Sequence, residues 1–253
     1  MLELKNISVQ FGGIKALTNV SFKVKKNSLF SIIGPNGAGK TTLLNVISGR
    51  YKPTKGELLL NNKDITNEHP NKRANLGIGR TFQNLALFDH MSVLENIFIG
   101  RHHILRSNFF LGAFYWVLGA QKEEISNRVE AERILDFLEI SSIRKKTAGT
   151  LSYGLRKRVE LARAIAINPK ILLLDEPMAG MNQEEKEDMA RFIIDLNREW
   201  GITLIMIEHD MGVVMDISDR VVVLDYGKVI GDGTPDEIMA NQKVIDAYLG
   251  VEH

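Results

Sequence analysis

The sequence predicts an α/β fold, in which a mainly parallel sheet carries an inserted helical segment. Four short apolar runs without polar alternation indicate the sheet, because strands covered on both faces are typical of parallel sheets. These runs are Ser28–Gly34, Lys170–Asp175, Ile202–Glu208 and Arg220–Asp225. Helical patterns lie between several of them, and from about Asp89 to Asn168 the pattern is helical. We therefore expect one domain over residues 1–253, with a core of residues 1–88 and 169–253 and a helical insertion of residues 89–168.

Local signals define several elements more closely. The helical patterns Lys40–Ser48 and Gln183–Trp200 each end immediately before a glycine, which is a frequent helix terminator. Tyr226–Lys228 reads as a hairpin turn between two late strands. Ser92–Glu95 and Thr234–Glu237 have the residue types of a capping box, so each predicts the start of a helix.

Composition excludes several classes of site. The 253 residues contain 44% hydrophobic and 25% charged residues, which describes an ordinary globular chain. The formal net charge of +1 provides no overall field to attract nucleic acid, so we expect no nucleic-acid partner. Because the chain has no cysteine, disulfides and thiolate metal sites are excluded. The N-terminal residues alternate as a strand does and lack the apolar core of a signal peptide.

The most apolar stretch, Phe109–Ala120, is rich in aromatic residues. It is about a dozen residues long, whereas a membrane-spanning helix needs roughly 20. Two interpretations stay open: the stretch packs within the helical insertion, or its aromatic side chains lie near a membrane protein or the bilayer surface.

The strongest chemical signal is the sequence GPNGAGKTT, which follows a predicted strand and opens a predicted helix. It matches the phosphate-binding pattern G-x-x-x-x-G-K-[ST], in which glycines let backbone N–H groups converge on phosphates. Lys40 is expected to reach the β- and γ-phosphate oxygens, and the Thr41 hydroxyl is expected to bind Mg²⁺. The predicted nucleotide-binding residues of this loop are Gly34, Pro35, Asn36, Gly37, Ala38, Gly39, Lys40, Thr41 and Thr42.

Acidic residues and a histidine follow two of the predicted strands. Asp175 is expected near Mg²⁺ and Glu176 near an attacking water as general base. Alone, such a pair is more often a helix cap or a solvated turn, and the phosphate loop favours the catalytic interpretation. His209 follows another strand, where it is either structural or a hydrogen-bond donor to a γ-phosphate. Gln83 precedes the helical insertion and, without further context, would be an exposed loop residue.

Five segments in this order resemble the ATP-binding subunits of ABC transporters, and the resemblance covers nearly the whole chain. They are the phosphate loop, Gln83, Leu151–Leu155, LLLDEP at Leu172–Pro177, and His209. The resemblance implies a P-loop NTPase core with an N-terminal antiparallel β portion, an ATPase activity, and ATP and Mg²⁺ as cofactors. It implies that Phe11 stacks on adenine and that Gln83 senses both Mg²⁺ and the membrane partner.

The segment LSYGL at Leu151–Leu155 opens a basic helix, an arrangement that suits an anion. The resemblance implies that Ser152, Tyr153 and Gly154 bind the ATP held by a second ATP-binding subunit, of the same or a related kind, in a head-to-tail dimer. Tyr153 and Leu155 depart from the family pattern L-S-G-G-Q, and Asn182 stands where many relatives carry aspartate. These departures bear on subunit communication and turnover more than on ATP binding.

Further segments are similar to the subfamily that imports branched-chain and other hydrophobic amino acids, namely IGRTFQ, AGMN, IEHDM and AYLG. The resemblance implies two transmembrane permease subunits, an extracytoplasmic substrate-binding protein, and a peripheral location at the cytoplasmic face of the inner membrane. Related ATPases for urea uptake or lipopolysaccharide export remain alternatives. A soluble ABC-type ATPase acting on DNA or ribosomes is a further alternative, although the chain lacks the long coiled-coil arms typical of that class. A catalytically silent nucleotide switch is another.

Overall fold

The structure is a computed structural model that describes residues 1–81, 87–101 and 119–249. Gln83 and nearly all of the aromatic stretch lie outside the described residues, so both predictions about them stay predictions. The chain divides into two compact units. The first takes the described residues of Met1–Gln83, Lys170–Ala179 and Lys186–His253, and the second those of Asn84–Pro169 and Gly180–Glu185. Residues 180–185 thus group with the helical unit, whereas the sequence pattern assigns them to the core.

The described elements have the following bounds. The strands are β1 (Leu2–Phe11), β2 (Ile14–Val24), β3 (Leu29–Ile33), β4 (Lys55–Leu60), β5 (Lys63–Asp64), β6 (Ile78–Arg80), β7 (Ile171–Asp175), β8 (Thr203–Ile207), β9 (Arg220–Asp225) and β10 (Lys228–Gly233). The α-helices are α1 (Lys40–Ser48), α2 (Pro70–Asn75), α3 (Val93–Arg101), α4 (Gly119–Phe137), α5 (Tyr153–Ile165), α6 (Gln183–Arg198), α7 (Met211–Ile217), α8 (Pro235–Met239) and α9 (Gln242–Leu249).

Six of the described strands form the mainly parallel sheet, in the order β10-β9-β3-β8-β7-β6. Only the β9–β10 pair within these described strands is antiparallel. Every residue of β3, β7 and β8 is buried, which explains why their sequences lack polar alternation. The predicted parallel sheet is confirmed, with strand ends within one residue of the expected bounds.

The antiparallel portion at the N-terminus is also confirmed. Four described strands form it in the order β2-β1-β4-β5. The first turn after β3 leads into α1, which contacts β2 of this sheet and both β6 and β7 of the parallel sheet. Apolar residues of α1 are fully buried, including Leu43, Leu44 and Ile47. The helix that begins at the phosphate loop is therefore held by both sheets of the first unit.

The second unit is built from α3, α4 and α5, which contact one another. The predicted capping box at its start is present, since the Ser92 hydroxyl accepts from the Glu95 N–H at 3.2 Å and the Glu95 carboxylate accepts from the Ser92 N–H at 2.7 Å. An apolar stripe at helical spacing in α4 is fully buried at Ala131, Ile134 and Leu135. Over the described parts of the chain, no helix has both the length and the apolar character needed to cross a bilayer.

A buried arginine closes the far end of α1. Arg73 is 1% exposed, and its guanidinium donates to the carbonyls of Val46, Ile47, Thr66 and Glu68 at 2.5–3.0 Å. Two of these carbonyls, those of Val46 and Ile47, belong to the last turn of α1, where the regular helical hydrogen bonds end. The Val46 carbonyl also accepts from the Gly49 N–H at 3.1 Å. Burial lowers the pKa of Arg73 to about 10, so the side chain remains a cation at neutral pH.

We predict that Arg73→Met lowers the free energy of unfolding by on the order of 3 kcal/mol, because buried carbonyls lose a charged donor. Urea unfolding followed by circular dichroism measures this change. Arg50→Met is the matched control, since Arg50 is exposed just beyond the same helix. Equal stability of the two variants would show that Arg73 does not support α1.

Candidate active site

A cavity of about 530 Å³ opens in the first unit, beside the phosphate loop. Strands β3, β7 and β8 are parallel, so the segments that follow them leave the same edge of the sheet. These segments supply the phosphate loop, Glu176 and His209 to the cavity wall. The complete lining consists of Ile14, Lys15, Ala16, Asn36, Gly37, Ala38, Gly39, Lys40, Thr41, Thr42, Glu176, His209, Tyr226 and Gly227.

The phosphate loop requires glycine at two positions for steric reasons. A Cβ atom on Gly34 would lie 2.0 Å from the Leu224 carbonyl oxygen, and one on Gly39 would lie 2.7 Å from the Ala16 carbonyl oxygen. Both glycines also have positive φ angles, 145° and 101°. Helix α1 begins directly after Gly39, so its N-terminal N–H groups and positive dipole end lie at the cavity wall.

Lys40 is folded back onto the loop that precedes it. Its Nζ atom donates to the Gly34 carbonyl at 2.6 Å and to the Pro35 carbonyl at 2.9 Å. Burial lowers the pKa of the Lys40 ammonium, while the negative charge of Glu176 opposes that change. The tethered ammonium lies at the cavity wall, where it is available to an anion.

Glu176 and His209 contact each other at the cavity wall, a contact that the sequence analysis did not predict. The His209 Nε2 atom lies 3.0 Å from the Glu176 Oε1 atom, although the two residues are 33 positions apart. Glu176 has a φ of +51°, a backbone conformation that is uncommon for a residue with a side chain and recurs at functional sites. Its N–H donates to the Ile207 carbonyl at 2.9 Å, which holds the end of β7 against β8.

A second glutamate, which the sequence analysis did not single out, connects the segments that carry Glu176 and His209. Glu208 is 4% exposed, and its carboxylate accepts from the N–H of Met178 at 2.8 Å and from the N–H of His209 at 3.0 Å. One carboxylate therefore fixes the backbone on both sides of the Glu176–His209 pair. A buried glutamate after a strand was the available signal, but its partners are not visible in the sequence.

Asp175 lies deeper than Glu176 and is held by an arginine that the sequence analysis also missed. Its side chain is 1% exposed and its Oδ2 atom accepts from Arg80 at 2.9 Å. Arg80 also donates to Asn45 at 2.6 Å and to Ser48 at 3.0 Å, both on α1. The backbone N–H of Asp175 donates to the Thr81 hydroxyl at 3.2 Å. Strand β6 thus orients the carboxylate at the end of β7.

Phe11 does not belong to the cavity lining. Its ring is half-exposed and packs edge-on against Tyr51, with ring centroids 5.1 Å apart and an interplanar angle of 72°. The lining beside the loop comes from Ile14–Ala16 and from the turn at Tyr226–Gly227, neither of which was predicted as part of the site. The expected stacking of Phe11 on adenine stays a prediction.

The second unit contains the predicted second anion-binding segment, at the start of α5. Ser152 is the N-cap residue, and its hydroxyl accepts from the Leu155 N–H at 3.5 Å. The Tyr153 ring covers Gly180, where a Cβ atom would lie 3.1 Å from the ring. A Cβ atom on Gly154 would meet the Glu185 carboxylate. Each segment therefore packs a glycine against a side chain of the other, Gly180 against Tyr153 and Gly154 against Glu185. This explains why the start of α5 and residues 180–185 group together.

Asn182 performs the capping role that aspartate would perform at this position. Its side-chain oxygen accepts from the Glu185 N–H at 2.9 Å, and the Glu185 carboxylate accepts from the Asn182 N–H at 3.1 Å. These reciprocal bonds form a capping box directly before α6, and asparagine caps helices about as well as aspartate. The departure from the family pattern is therefore conservative for the local structure.

Family comparison agrees with this geometry. A family profile described as ABC transporter matches residues 17–179, and a profile described as branched-chain amino acid ATP-binding cassette transporter matches residues 228–253. The chain is 40% identical over 250 residues to the high-affinity branched-chain amino acid transport ATP-binding protein BraF of Pseudomonas aeruginosa. That alignment covers 99% of this chain and 98% of the relative.

Solved structures give the same result. An ATP-binding cassette of an ABC transporter in its ADP conformation is 37% identical, with a TM-score of 0.85 and coverage of 99% of this chain and 98% of that chain. A dimeric cassette in a post-hydrolysis state, bound to ADP and Pi, is 29% identical, with a TM-score of 0.77 and coverage of 93% and 99%. With a matching family profile over most of its length, the chain belongs to the ABC transporter family, as one of its nucleotide-binding, ATP-hydrolysing subunits.

Proposed function

We propose that this ATPase drives a membrane transporter that imports branched-chain amino acids. The observation that carries the proposal is the 40% identity to BraF over 99% of the chain. The branched-chain profile at residues 228–253 supports it independently of the ATPase motifs. The substrate assignment rests on these likenesses, because an ATPase subunit does not itself need to contact the transported molecule.

The phosphate loop binds the nucleotide in this proposal. Residues Gly34–Thr42 surround the phosphates, and the Lys40 ammonium exchanges its bonds to the Gly34 and Pro35 carbonyls for bonds to β- and γ-phosphate oxygens. The support is the position of Lys40 at the cavity wall and its short bonds to the loop, which hold the ammonium before nucleotide arrives. Phe11 is proposed to contact the adenine ring.

Mg²⁺ is proposed to be held by Thr41, Asp175 and Gln83. Oxygen donors are the ligands that Mg²⁺ prefers, and Thr41 lies at the cavity wall while the Asp175 carboxylate is oriented by Arg80. When bound, the ion would neutralise charge on the phosphate oxygens. The ion pair with Arg80, at 2.9 Å, restrains the position of the Asp175 carboxylate at the end of its strand.

Glu176 is proposed as the general base for hydrolysis. Its carboxylate takes the proton of the attacking water as the water oxygen bonds to the γ-phosphorus and the bond to the β-phosphate oxygen breaks. His209 restrains Glu176 through the 3.0 Å contact and is also proposed to donate a hydrogen bond to the γ-phosphate. Glu208 holds both catalytic segments in register through the backbone.

The start of α5 is proposed to act on a nucleotide held by a second subunit. Ser152, Tyr153 and Gly154 would face the γ-phosphate of that nucleotide in a head-to-tail dimer. The dimeric form of a related cassette supports this arrangement. Two transmembrane permeases and an extracytoplasmic binding protein complete the proposed transporter, with this subunit peripheral at the cytoplasmic face of the inner membrane.

Lys40→Ala is expected to weaken ADP and ATP binding by at least about tenfold, because a charge-assisted bond to phosphate is lost. Isothermal titration calorimetry of the purified protein measures the affinity. Lys26→Ala is the control, since Lys26 is an exposed lysine before β3. Wild-type affinity in Lys40→Ala would refute the phosphate-loop proposal.

Glu176→Gln is expected to reduce ATP hydrolysis by a factor on the order of 10², because the amide keeps the shape but cannot accept the proton. ATP binding should survive.

Cells that depend on this subunit should lose uptake of radiolabelled leucine in the variant and retain it in the control Glu184→Gln, whose side chain is exposed. Normal ATP hydrolysis by Glu176→Gln would mean that another residue is the base. If cells that lack this subunit take up leucine normally, although the wild-type protein hydrolyses ATP, the proposed substrate is refuted.

A further inference from the structure

An exposed tyrosine occupies a backbone position that disfavours it. Strands β9 and β10 pair Asp225 with Lys228, so Tyr226 and Gly227 form a two-residue turn. Their φ angles are +42° and +74°, the signs found in a type I′ turn, for which Asn-Gly is the favoured pair. A bulky residue with positive φ is an outlier that costs conformational energy.

Packing of the Tyr226 ring against the described residues does not offset this conformational energy. The Tyr226 side chain is 86% exposed, the most exposed of the large hydrophobic residues that the structure describes. A turn whose only task is to join two strands would be more stable with asparagine at this position. Strain at an exposed aromatic residue therefore indicates a contact made with something else.

The turn is fixed against the phosphate loop. The Gly227 N–H donates to the Ala38 carbonyl at 3.0 Å, and the Gly227 carbonyl accepts from the Thr18 N–H at 2.8 Å. A Cβ atom on Gly227 would lie 2.5 Å from the Ala16 carbonyl oxygen, so the turn and β2 are in close contact. Tyr226 is thereby held at a set position on the cavity wall.

The lining of the cavity separates by chemistry into two groups. The phosphate loop, with Glu176 and His209, offers backbone amides, an ammonium and groups suited to phosphates. The remaining wall is formed by Ile14–Ala16 and the Tyr226 turn, which include the aliphatic side chain of Ile14, the lysine Lys15 and the aromatic ring of Tyr226. A flat heteroaromatic ring suits such a wall, because any nucleotide base has a π-face that can stack on an aromatic side chain.

We propose that Tyr226 is a contact for the nucleotide base, with its ring lying against the base or the adjoining sugar when the phosphates occupy the loop. This inference rests on the proposed nucleotide function. It places an aromatic contact on a turn that lies more than 200 positions beyond Phe11 in the sequence, and Tyr226, unlike Phe11, belongs to the cavity lining. The strained turn is retained because the ring is needed at the cavity wall.

The test compares Tyr226→Asn with Tyr226→Phe in the full-length protein. The affinity of each variant is measured separately for ADP and for inorganic pyrophosphate, which has the phosphates of ADP but no base. Tyr226→Asn should unfold at the same or a higher temperature than wild type, because Asn-Gly suits the turn. It should bind ADP on the order of tenfold more weakly, the scale expected for loss of one stacking partner. Pyrophosphate affinity should stay unchanged. Tyr226→Phe keeps the ring and should bind ADP within about twofold of wild type, since stacking does not need the hydroxyl.

Several results would overturn the inference. Unchanged ADP affinity in Tyr226→Asn removes the proposed contact, and an equal loss of pyrophosphate affinity means that the substitution disturbs the phosphate loop instead. A lower unfolding temperature in Tyr226→Asn means that the ring serves the fold, and an equal loss in Tyr226→Phe rules out stacking. A wild-type protein that binds neither ADP nor ATP refutes the proposed nucleotide function itself, and this outcome is distinct from the others.

Discussion

The cavity beside the phosphate loop depends on the close approach of the loop backbone to two neighbouring segments. Gly34 lies against the Leu224 carbonyl and Gly39 against the Ala16 carbonyl, with no space for a Cβ atom at either glycine. These contacts join the loop to β9 and to β2, and the two sheets hold α1 behind it. The position of Lys40 follows, because the residue begins a helix whose other end is closed by Arg73.

Charged groups at the carboxyl edge of the sheet are fixed by a second set of charged groups behind them. Glu208 restrains the backbone beside Glu176 and His209, and Arg80 restrains Asp175. On its own this edge offers one face to a nucleotide. The start of α5, with Ser152 as its cap, belongs to the other unit and is the second anion-binding segment that we propose. Our central claim is that each nucleotide is held by the loop of one subunit and closed by Ser152 of another.

The sequence predicted the sheet, α1 and the capping boxes, because each has a local pattern. It did not predict the contact of Glu176 with His209, which joins segments 33 positions apart. It did not predict β6, whose three residues are too few for a periodic signal. Arg80 and Glu208 were missed because their roles depend on partners 95 and 30 positions away. The turn at Tyr226 was predicted, but not its strain, since only backbone angles reveal that a tyrosine occupies a position suited to asparagine.

The most direct test of the central claim mixes two subunit variants that are each defective. Ser152→Arg should keep its own phosphate loop but block closure over the facing nucleotide, and Lys40→Ala should lose its phosphate contact. In a mixed dimer one site carries both lesions and the other carries neither. ATP-dependent dimer formation, followed by light scattering, should therefore be greater in the mixture than in either variant alone. Loss of ATP binding by the isolated Ser152→Arg subunit, or no recovery in the mixture, would contradict the claim that the site is shared between subunits.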